Sequence, residues 1–192
     1  MSLVTLVSIV DWDQQLFHLL NREWTNGLFD TVLPIWRDKY FWLPVYLFII
    51  TFSFYNYGKK AYWLMAFMIL TVGTADLVSS QLIKKNVKRT RPCNDVELTS
   101  VRELVHCGSG YSFTSSHSTN HFALSFFLLG TLAVRRKWLK WLLIGWAASI
   151  AYAQVYVGVH FPIDVISGAI LGVLIARVLL YAYRASGKSI VS

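Results

Sequence analysis

Long apolar blocks separated by short polar connections make up most of the chain after residue 39. Five blocks are close to or above the roughly 20 apolar residues that an α-helix needs to cross a bilayer. They cover residues 40–57, 61–83, 117–134, 138–157 and 161–183. The pattern predicts an all-α fold, a polytopic membrane bundle of about five transmembrane helices. Because no linker divides the chain, residues 1–192 are expected to form a single membrane-embedded domain.

The N-terminal segment, residues 1–39, has a different pattern. Trp12, Leu16, Leu19, Leu20 and Trp24 recur at spacings of three and four, with polar residues between them. This amphipathic pattern predicts one or two helices that lie in the membrane interface with their aromatic faces towards lipid. Packing of the same helices against the bundle is equally compatible with the pattern.

Composition supports the membrane assignment and excludes an ordinary soluble domain. Hydrophobic residues make up 55% of the chain and charged residues only 15%. The 8 Trp, 10 Tyr and 12 Phe residues suit a protein with two membrane interfaces, where amphipathic rings are favoured. The net charge of +8 does not indicate nucleic acid, because the cations lie between apolar blocks and not along one polar stripe. We therefore expect the lipid bilayer as a partner, and no nucleic acid.

The distribution of cations predicts an orientation in the membrane. Five spans place the polar loop 84–116 on the same side as the turn 158–160 and the N-terminal segment. Cytoplasmic loops are enriched in Lys and Arg, but the cations crowded into residues 84–91 are expected of a ligand site and are set aside. Residues 84–116 then form an extracytoplasmic active-site loop in a bacterial inner or plasma membrane. The opposite, cytoplasmic side carries Lys59, Lys60, Arg135, Arg136, Lys137, Arg184 and Lys188.

The two cysteines of the chain, Cys93 and Cys107, both lie in the loop 84–116. In an oxidising compartment they can form a disulfide, which would stabilise the loop by roughly 3 kcal/mol in the chain-entropy model. Two free thiols in a reduced loop are the alternative. Because both cysteines fall in one loop, we expect the disulfide.

Three polar clusters are expected to meet on the side of this loop. The first, KKNVKRTRP at 84–92, closes the second span, although a basic run is also common beside spans. The second, FTSSH at 113–117, opens the third span with a plain N-cap or with a helix start that binds phosphate. The third, QVYVGVHFPID at 154–164, places His160 and Asp164 about one helical turn apart, so that the carboxylate can hold one imidazole nitrogen.

In order and spacing, the three clusters together resemble the signature motifs of the type-2 phosphatidic acid phosphatase family. Those motifs are Lys-x6-Arg-Pro, Pro-Ser-Gly-His and Ser-Arg-x5-His-x3-Asp. The resemblance covers roughly residues 60–183, and the order of the spans is also similar to that of the family.

The resemblance implies a phosphatase that hydrolyses a membrane lipid phosphate monoester or pyrophosphate. His160 would be the nucleophile that forms a phosphohistidine, and Asp164 would orient it. His117 would protonate the leaving oxygen and then activate water. The resemblance implies no metal and no other cofactor, because cations can stabilise the phosphoryl charge. The residues implied to bind the substrate phosphate are Lys84, Arg91, Ser115, Ser116 and Gln154.

The main departure from the family pattern is Gln154, which stands at the position of the third motif's arginine. Glutamine can donate a hydrogen bond but brings no charge and no bidentate fork. Three explanations are open: a neighbouring cation supplies the charge, the site favours a different phosphate, or activity is reduced. The neighbouring cations considered for this position are Lys85, Lys88 and Arg89.

Other functions are compatible with the same residues. A catalytically impaired lipid-phosphate-binding protein would keep the pocket, and a phosphotransferase would use the same intermediate. A channel or transporter is not indicated, because the chain shows no inverted repeat. The sequence does not choose among undecaprenyl pyrophosphate, phosphatidylglycerophosphate, phosphatidic acid and lipid A, and it does not indicate an oligomeric state.

Two further polar residues lie inside predicted spans. His121 is one turn after His117 and could form a metal pair with it, but a packing position is favoured because no cysteine or carboxylate stands beside the two. Asp76 is costly in lipid and is expected to pair with a polar neighbour such as Ser or Tyr inside the bundle.

Overall fold

A computed structural model describes residues 3–96, 98, 100–132 and 136–190, and every regular element in these ranges is helical. The prediction of an all-α fold is therefore confirmed. Two π-helical segments cover Leu19–Glu23 and Val78–Ile83, and a 3-10 turn covers Pro92–Asn94. The α-helices are α1 Leu3–His18, α2 Gly27–Trp36, α3 Leu43–Tyr57, α4 Lys60–Leu77, α5 Lys84–Val87, α6 Ser116–Thr131, α7 Lys137–Tyr156 and α8 Pro162–Ala185.

The five predicted spans correspond to α3, α4 with its π-helical continuation, α6, α7 and α8. Two helical segments, Lys60–Asn94 and Pro162–Ala185, are long and apolar enough to cross a membrane by length and composition. The predicted end of the third span at residue 134, and the cation Arg135, lie outside the described residues. The chain is a polytopic membrane bundle, as predicted.

The centre of the bundle is the pair α6 and α8, which make the most extensive contact between helices. Glycines on α8 permit their close approach: a Cβ atom on Gly168 would lie 2.7 Å from the carbonyl oxygen of Ser115, and one on Gly172 would lie 2.3 Å from that of Thr119. The Ser118 hydroxyl donates to the Val165 carbonyl at 2.7 Å. These contacts hold the N-terminal ends of α6 and α8 side by side, where the second and third sequence motifs lie.

The N-terminal segment packs on the bundle with one face and leaves the other exposed. Phe17 is fully buried and its ring lies 5.4 Å from that of Phe161, while Trp36 Nε1 donates to the Ser149 hydroxyl at 2.8 Å. Trp12 and Trp24 are 50% and 61% exposed. Packing against the bundle is thus confirmed for one face, and the interfacial location of the exposed aromatic residues stays a prediction.

The loop 84–116 is closed by a disulfide between Cys93 and Cys107, whose Cα atoms are 6.0 Å apart. The predicted disulfide is confirmed. Asn94 Nδ2 donates to the Gly108 carbonyl at 3.3 Å, so that both ends of the disulfide-bonded segment are also joined by a hydrogen bond. The segment that follows, Gly108 to Ser112, is thereby held against the first sequence motif.

Candidate active site

A sharp turn after α7 positions His160. Gly158 has a φ of +89°, and a Cβ atom there would lie 2.5 Å from the Arg102 carbonyl oxygen, so the turn requires glycine. The backbone N–H groups of Val159 and His160 both donate to the Gln154 carbonyl at 3.2 Å. Local backbone bonds therefore fix the histidine at the N-terminal end of α8.

His160 and Asp164 form the pair that their spacing predicted. Nδ1 of His160 lies 3.5 Å from Oδ2 of Asp164, and both side chains are buried. Asp164 is the third residue of α8, and its Oδ2 accepts the backbone N–H of Phe161 at 2.9 Å, as carboxylates at this position commonly do. Burial lowers the pKa of His160 to about 4, although the Asp164 carboxylate acts in the opposite direction. The imidazole is therefore neutral at neutral pH and Nε2 can carry a lone pair.

Arg89 anchors the other side of the Asp164 carboxylate. Its Nη1 donates to Oδ1 of Asp164 at 2.8 Å, its Nη2 pairs with Asp13, and its guanidinium lies 4.0 Å from the centre of the Phe161 ring. Asp13 also accepts the backbone N–H of Ile163 at 2.8 Å. An ion-pair network thus connects α1 to the first turn of α8, and Arg89 is committed to it instead of to Gln154.

The two cations of the first motif are held by the segment after the disulfide. Lys84 Nζ donates to the Tyr111 carbonyl at 3.1 Å, and Arg91 Nε donates to the Gly110 carbonyl at 2.8 Å. A Cβ atom on Gly108 would lie 3.7 Å from the central carbon of the Arg91 guanidinium, so this glycine-containing segment packs directly against that group. Both cations keep further N–H donors for an anion.

The start of α6 contributes the second motif. Ser115 is fully buried, caps the helix by accepting from the Ser118 N–H at 3.4 Å, and donates its own N–H to the Asp164 carbonyl at 3.0 Å. The Ser116 hydroxyl is within 3.0 Å of the hydroxyls of both Ser79 and Ser80, and so it faces the π-helical segment between α4 and α5. The phosphate contact predicted for Ser116 stays a prediction.

His117 lies next to this helix start. It lies within the range of electrostatic interaction with Lys84, Arg37 and the imidazole of His160. The fold therefore brings together the histidines of the second and third motifs and the lysine of the first, although Lys84 and His160 are 76 positions apart in the sequence.

His121 has the packing environment that the sequence favoured. Its Nδ1 lies 2.8 Å from the His117 carbonyl oxygen, and its Nε2 lies 3.4 Å from the Tyr46 hydroxyl. In the ranges that the structure describes, no group of three or more His, Cys, Asp or Glu side chains is placed to hold a metal ion.

Asp76 lies on α4, inside the second predicted span. Its Oδ1 accepts hydrogen bonds from Asn120 Nδ2 at 3.1 Å and from the Ser80 hydroxyl at 3.4 Å. The predicted pairing of Asp76 with a polar neighbour such as Ser is confirmed, but Asp76 is exposed and does not lie inside the bundle as predicted.

Gln154 is fully buried and contacts an arginine that the sequence analysis did not consider. Oε1 of Gln154 accepts from Arg37 Nε at 3.1 Å and from Arg37 Nη2 at 3.0 Å. Arg37 is the residue immediately after α2. Lys85 and Lys88, which were considered for this position, are exposed.

Sequence reasoning therefore missed Arg37 and Asp13, the two site residues that come from the N-terminal segment. Arg37 stands beside Asp38 and Lys39 in a polar turn, where a solvated cation is the ordinary expectation. Asp13 lies next to Trp12 in an amphipathic helix, and no motif marks it. The available signal was one of spacing. Asp13 is four positions before the apolar residue Phe17 and so lies on the same side of α1.

Comparison with known proteins agrees with this geometry. The sequence matches the PAP2 superfamily over residues 61–188. It is 30% identical to the lipid A 4'-phosphatase of Bacteroides thetaiotaomicron, over 84% of this chain and 72% of that protein. It is 29% identical to the undecaprenyl-diphosphatase of Sulfolobus acidocaldarius, over 85% of this chain and 74% of that protein.

A solved structure has the same fold. The crystal structure of the transmembrane PAP2 type phosphatidylglycerolphosphate phosphatase from Bacillus subtilis superposes with a TM-score of 0.70 at 26% identity. The match covers 95% of this chain and 88% of that one. The extent of the family match and the placement of all three motifs around one buried histidine lead to one conclusion: the chain belongs to the PAP2 superfamily.

Proposed function

We propose that this membrane-embedded lipid phosphatase hydrolyses a lipid phosphate monoester or pyrophosphate through a phosphohistidine at His160, without a metal. The observation that carries the proposal is the buried pair of His160 and Asp164, 3.5 Å apart, at a site approached by the cations Lys84 and Arg91. A buried neutral imidazole beside a carboxylate is suited to nucleophilic attack, because its lone pair is not occupied by a proton.

The reaction has two steps. Nε2 of His160 attacks the phosphorus, and the bond between phosphorus and the leaving oxygen breaks while His117 gives that oxygen a proton. A water molecule then attacks the phosphohistidine, His117 takes its proton, and the nitrogen–phosphorus bond breaks to release phosphate. Phosphoryl transfer depends mostly on positioning and on stabilisation of charge, which Lys84, Arg91 and the start of α6 would supply.

The lipid chain would lie in a cavity of about 460 Å³ between α3, α4 and α6. Its walls are mostly apolar, and its polar residues include Asn120 and His121, one turn from His117. The headgroup would therefore enter the basic pocket while the chain stays between the helices and the bilayer. Residues that line the cavity include Tyr46, Ile49, Met68, Val72 and Leu124.

The site would open on the extracytoplasmic face. The disulfide Cys93–Cys107 favours an oxidising compartment for the loop 84–116. The short connection that carries Lys59 and Lys60 lies at the other end of α4, as expected of a cytoplasmic connection. An outward-facing site suits an envelope lipid such as a carrier-lipid pyrophosphate or lipid A, in line with the names of the two relatives.

The decisive experiment measures release of inorganic phosphate by the purified protein in detergent. A panel of lipid phosphates and pyrophosphates is supplied with EDTA present, and wild type is compared with His160→Ala. We expect release that survives EDTA and disappears in the variant, together with a labelled phosphohistidine in wild type. Release that requires a metal, or that persists in the folded variant, would contradict the mechanism.

A phosphotransferase would be separated from a hydrolase by product analysis with and without an acceptor alcohol. Wild-type protein that binds lipid phosphate but releases none would instead support the impaired, binding-only alternative.

A further inference from the structure

Gln154 is a buried amide whose hydrogen bonds are only half satisfied. Its side chain is 0% exposed, and Oε1 accepts two hydrogen bonds from Arg37. Nε2, with two N–H donors, has no hydrogen-bond partner among the described residues. A buried amide nitrogen without a partner destabilises the folded state, so it is expected to face a ligand that accepts from it.

Arg37 brings a positive charge to this amide. None of the ion pairs in the described part of the chain includes Arg37. Nε and Nη2 each donate one hydrogen bond to Gln154, so three of the five N–H donors of the guanidinium remain for another acceptor. Arg37 also lies within the range of electrostatic interaction with Arg91, a cation of the first motif.

Three contacts between α2 and α7 fix Arg37 in this position. Trp36 donates to the Ser149 hydroxyl, Arg37 contacts Gln154, and the Tyr156 hydroxyl donates to Asp30 at 2.6 Å. The partners on α7 lie at different heights along that helix, so α2 packs along α7 from its first turn to its last. The Gln154 carbonyl also accepts the backbone N–H of His160, which connects this pair directly to the proposed nucleophile.

We propose that Arg37 and Gln154 together form a third phosphate-binding group, in which a guanidinium from the N-terminal segment replaces an arginine at position 154. This inference rests on the proposed function. Arg37 supplies the positive charge and Gln154 orients it, while the unpartnered Nε2 donates to the same anion. A substrate phosphate would then be held by Lys84 and Arg91 from one side and by Arg37 from the other.

The test exchanges the two side chains. The variants are Arg37→Gln, Gln154→Arg and the exchange Arg37→Gln with Gln154→Arg. Arg22→Gln is the matched control, because Arg22 also lies in the N-terminal segment but donates to the exposed Ser100 hydroxyl. Each variant is assayed for lipid phosphate hydrolysis and for binding of inorganic phosphate by calorimetry, with thermal unfolding in detergent as the check on folding.

Arg37→Gln is expected to lower kcat/KM by about 100-fold and to weaken phosphate binding, because one charged donor is lost. Gln154→Arg alone should also be impaired, because it removes the acceptor and places two guanidinium groups side by side. The exchange should recover most of the loss by restoring one guanidinium to the pocket. Arg22→Gln should match wild type.

Folded Arg37→Gln with wild-type phosphate affinity and kcat/KM would overturn the inference, as would an exchange variant that folds but does no better than Arg37→Gln. If the exchange does not fold, the comparison of Arg37→Gln with Arg22→Gln decides. Wild type that binds phosphate but hydrolyses no lipid would contradict the proposed function and leave the binding comparison to test Arg37. Wild type that does not bind phosphate would overturn the inference.

Discussion

Arg89 and Asp164 are joined by an ion pair of 2.8 Å, so the carboxylate that faces His160 is itself held by a guanidinium from the loop 84–116. Asp13 pairs with the same guanidinium from α1. Two fully buried carboxylates therefore depend on one arginine whose side chain is 24% exposed. The position of His160, the proposed nucleophile, is in this way tied to both the loop and the N-terminal helix.

Removing Arg89 should destabilise the protein and slow catalysis. Arg89→Ala leaves two buried carboxylates without a cationic partner, which is expected to cost about 3–5 kcal/mol of unfolding free energy. Thermal unfolding in detergent and kcat would be measured. The matched control is Arg102→Ala, which breaks a pair with Asp30 whose side chains are 30% and 32% exposed, and it should have a much smaller effect. Equal effects of the two substitutions would contradict this account.

The close approach of α6 and α8 should make Gly172 intolerant of a methyl group. Gly172→Ala places a Cβ atom 2.3 Å from the Thr119 carbonyl oxygen, so the helices must separate, and we expect a loss of about 1–3 kcal/mol with lower activity. Gly145→Ala on α7 is the control, because a Cβ atom there has nothing within 4 Å. That change should be neutral or stabilise the helix by up to about 1 kcal/mol. Unfolding of both variants would be followed by circular dichroism.

His160 should make stability depend on pH on the acidic side of neutrality. Its pKa is lowered to about 4 by burial, whereas in the unfolded chain it is near 6.5. Between these values the unfolded state binds a proton that the folded state does not, so the unfolding free energy falls as pH decreases through this window. The contribution is fully present above about pH 6.5.

The difference between wild type and His160→Gln isolates this contribution from the other histidines. We expect the two unfolding free energies to converge or cross as pH falls from 6.5 towards 4. Parallel curves over that range would show that His160 titrates at its ordinary pKa.

Loss of the disulfide should weaken substrate binding more than it slows the chemical step. Replacing both Cys93 and Cys107 by Ser frees a segment whose ends are 14 residues apart, which costs about 3 kcal/mol of stability in the chain-entropy model. The adjoining segment at 108–112 accepts from Lys84 and Arg91, so KM should rise while kcat changes less. A change confined to kcat would be the contrary result.

The proposed orientation predicts where the two cysteines can be labelled. On intact cells, a membrane-impermeant thiol reagent should label the protein only after a membrane-impermeant reductant has been added. Labelling that appears only after the membrane is opened would place the loop 84–116 in the cytoplasm.

The sequence was sufficient to predict the helices and the contact between His160 and Asp164. Apolar blocks of bilayer length leave few alternatives to spanning helices, and the spacing of four between His160 and Asp164 is retained at the start of α8. Residues only a few positions apart in the sequence are informative, because the geometry of one helical turn determines which of their side chains meet.

The partners of those residues could not be predicted in the same way. Arg37 and Gln154 are 117 positions apart, and Arg89 and Asp13 are 76 apart, so their contacts depend on how α1 and α2 pack against the bundle. The suggestion that Arg89 supplies charge at Gln154 was wrong because two buried carboxylates engage it. No pattern within a single segment of the sequence indicates which distant side chain an arginine will contact.

The N-terminal segment has a consequence for the design of chimaeras. The family match begins at residue 61, yet Asp13, Asn21 and Arg37 all bond to residues at or beside the site from before that point. Grafting the matched region onto the leading segment of a relative would separate Arg37 from Gln154 and Asp13 from Arg89. The two parts should therefore be transferred together, because side chains of the first forty residues hold Arg89 and Gln154 in place within the matched region.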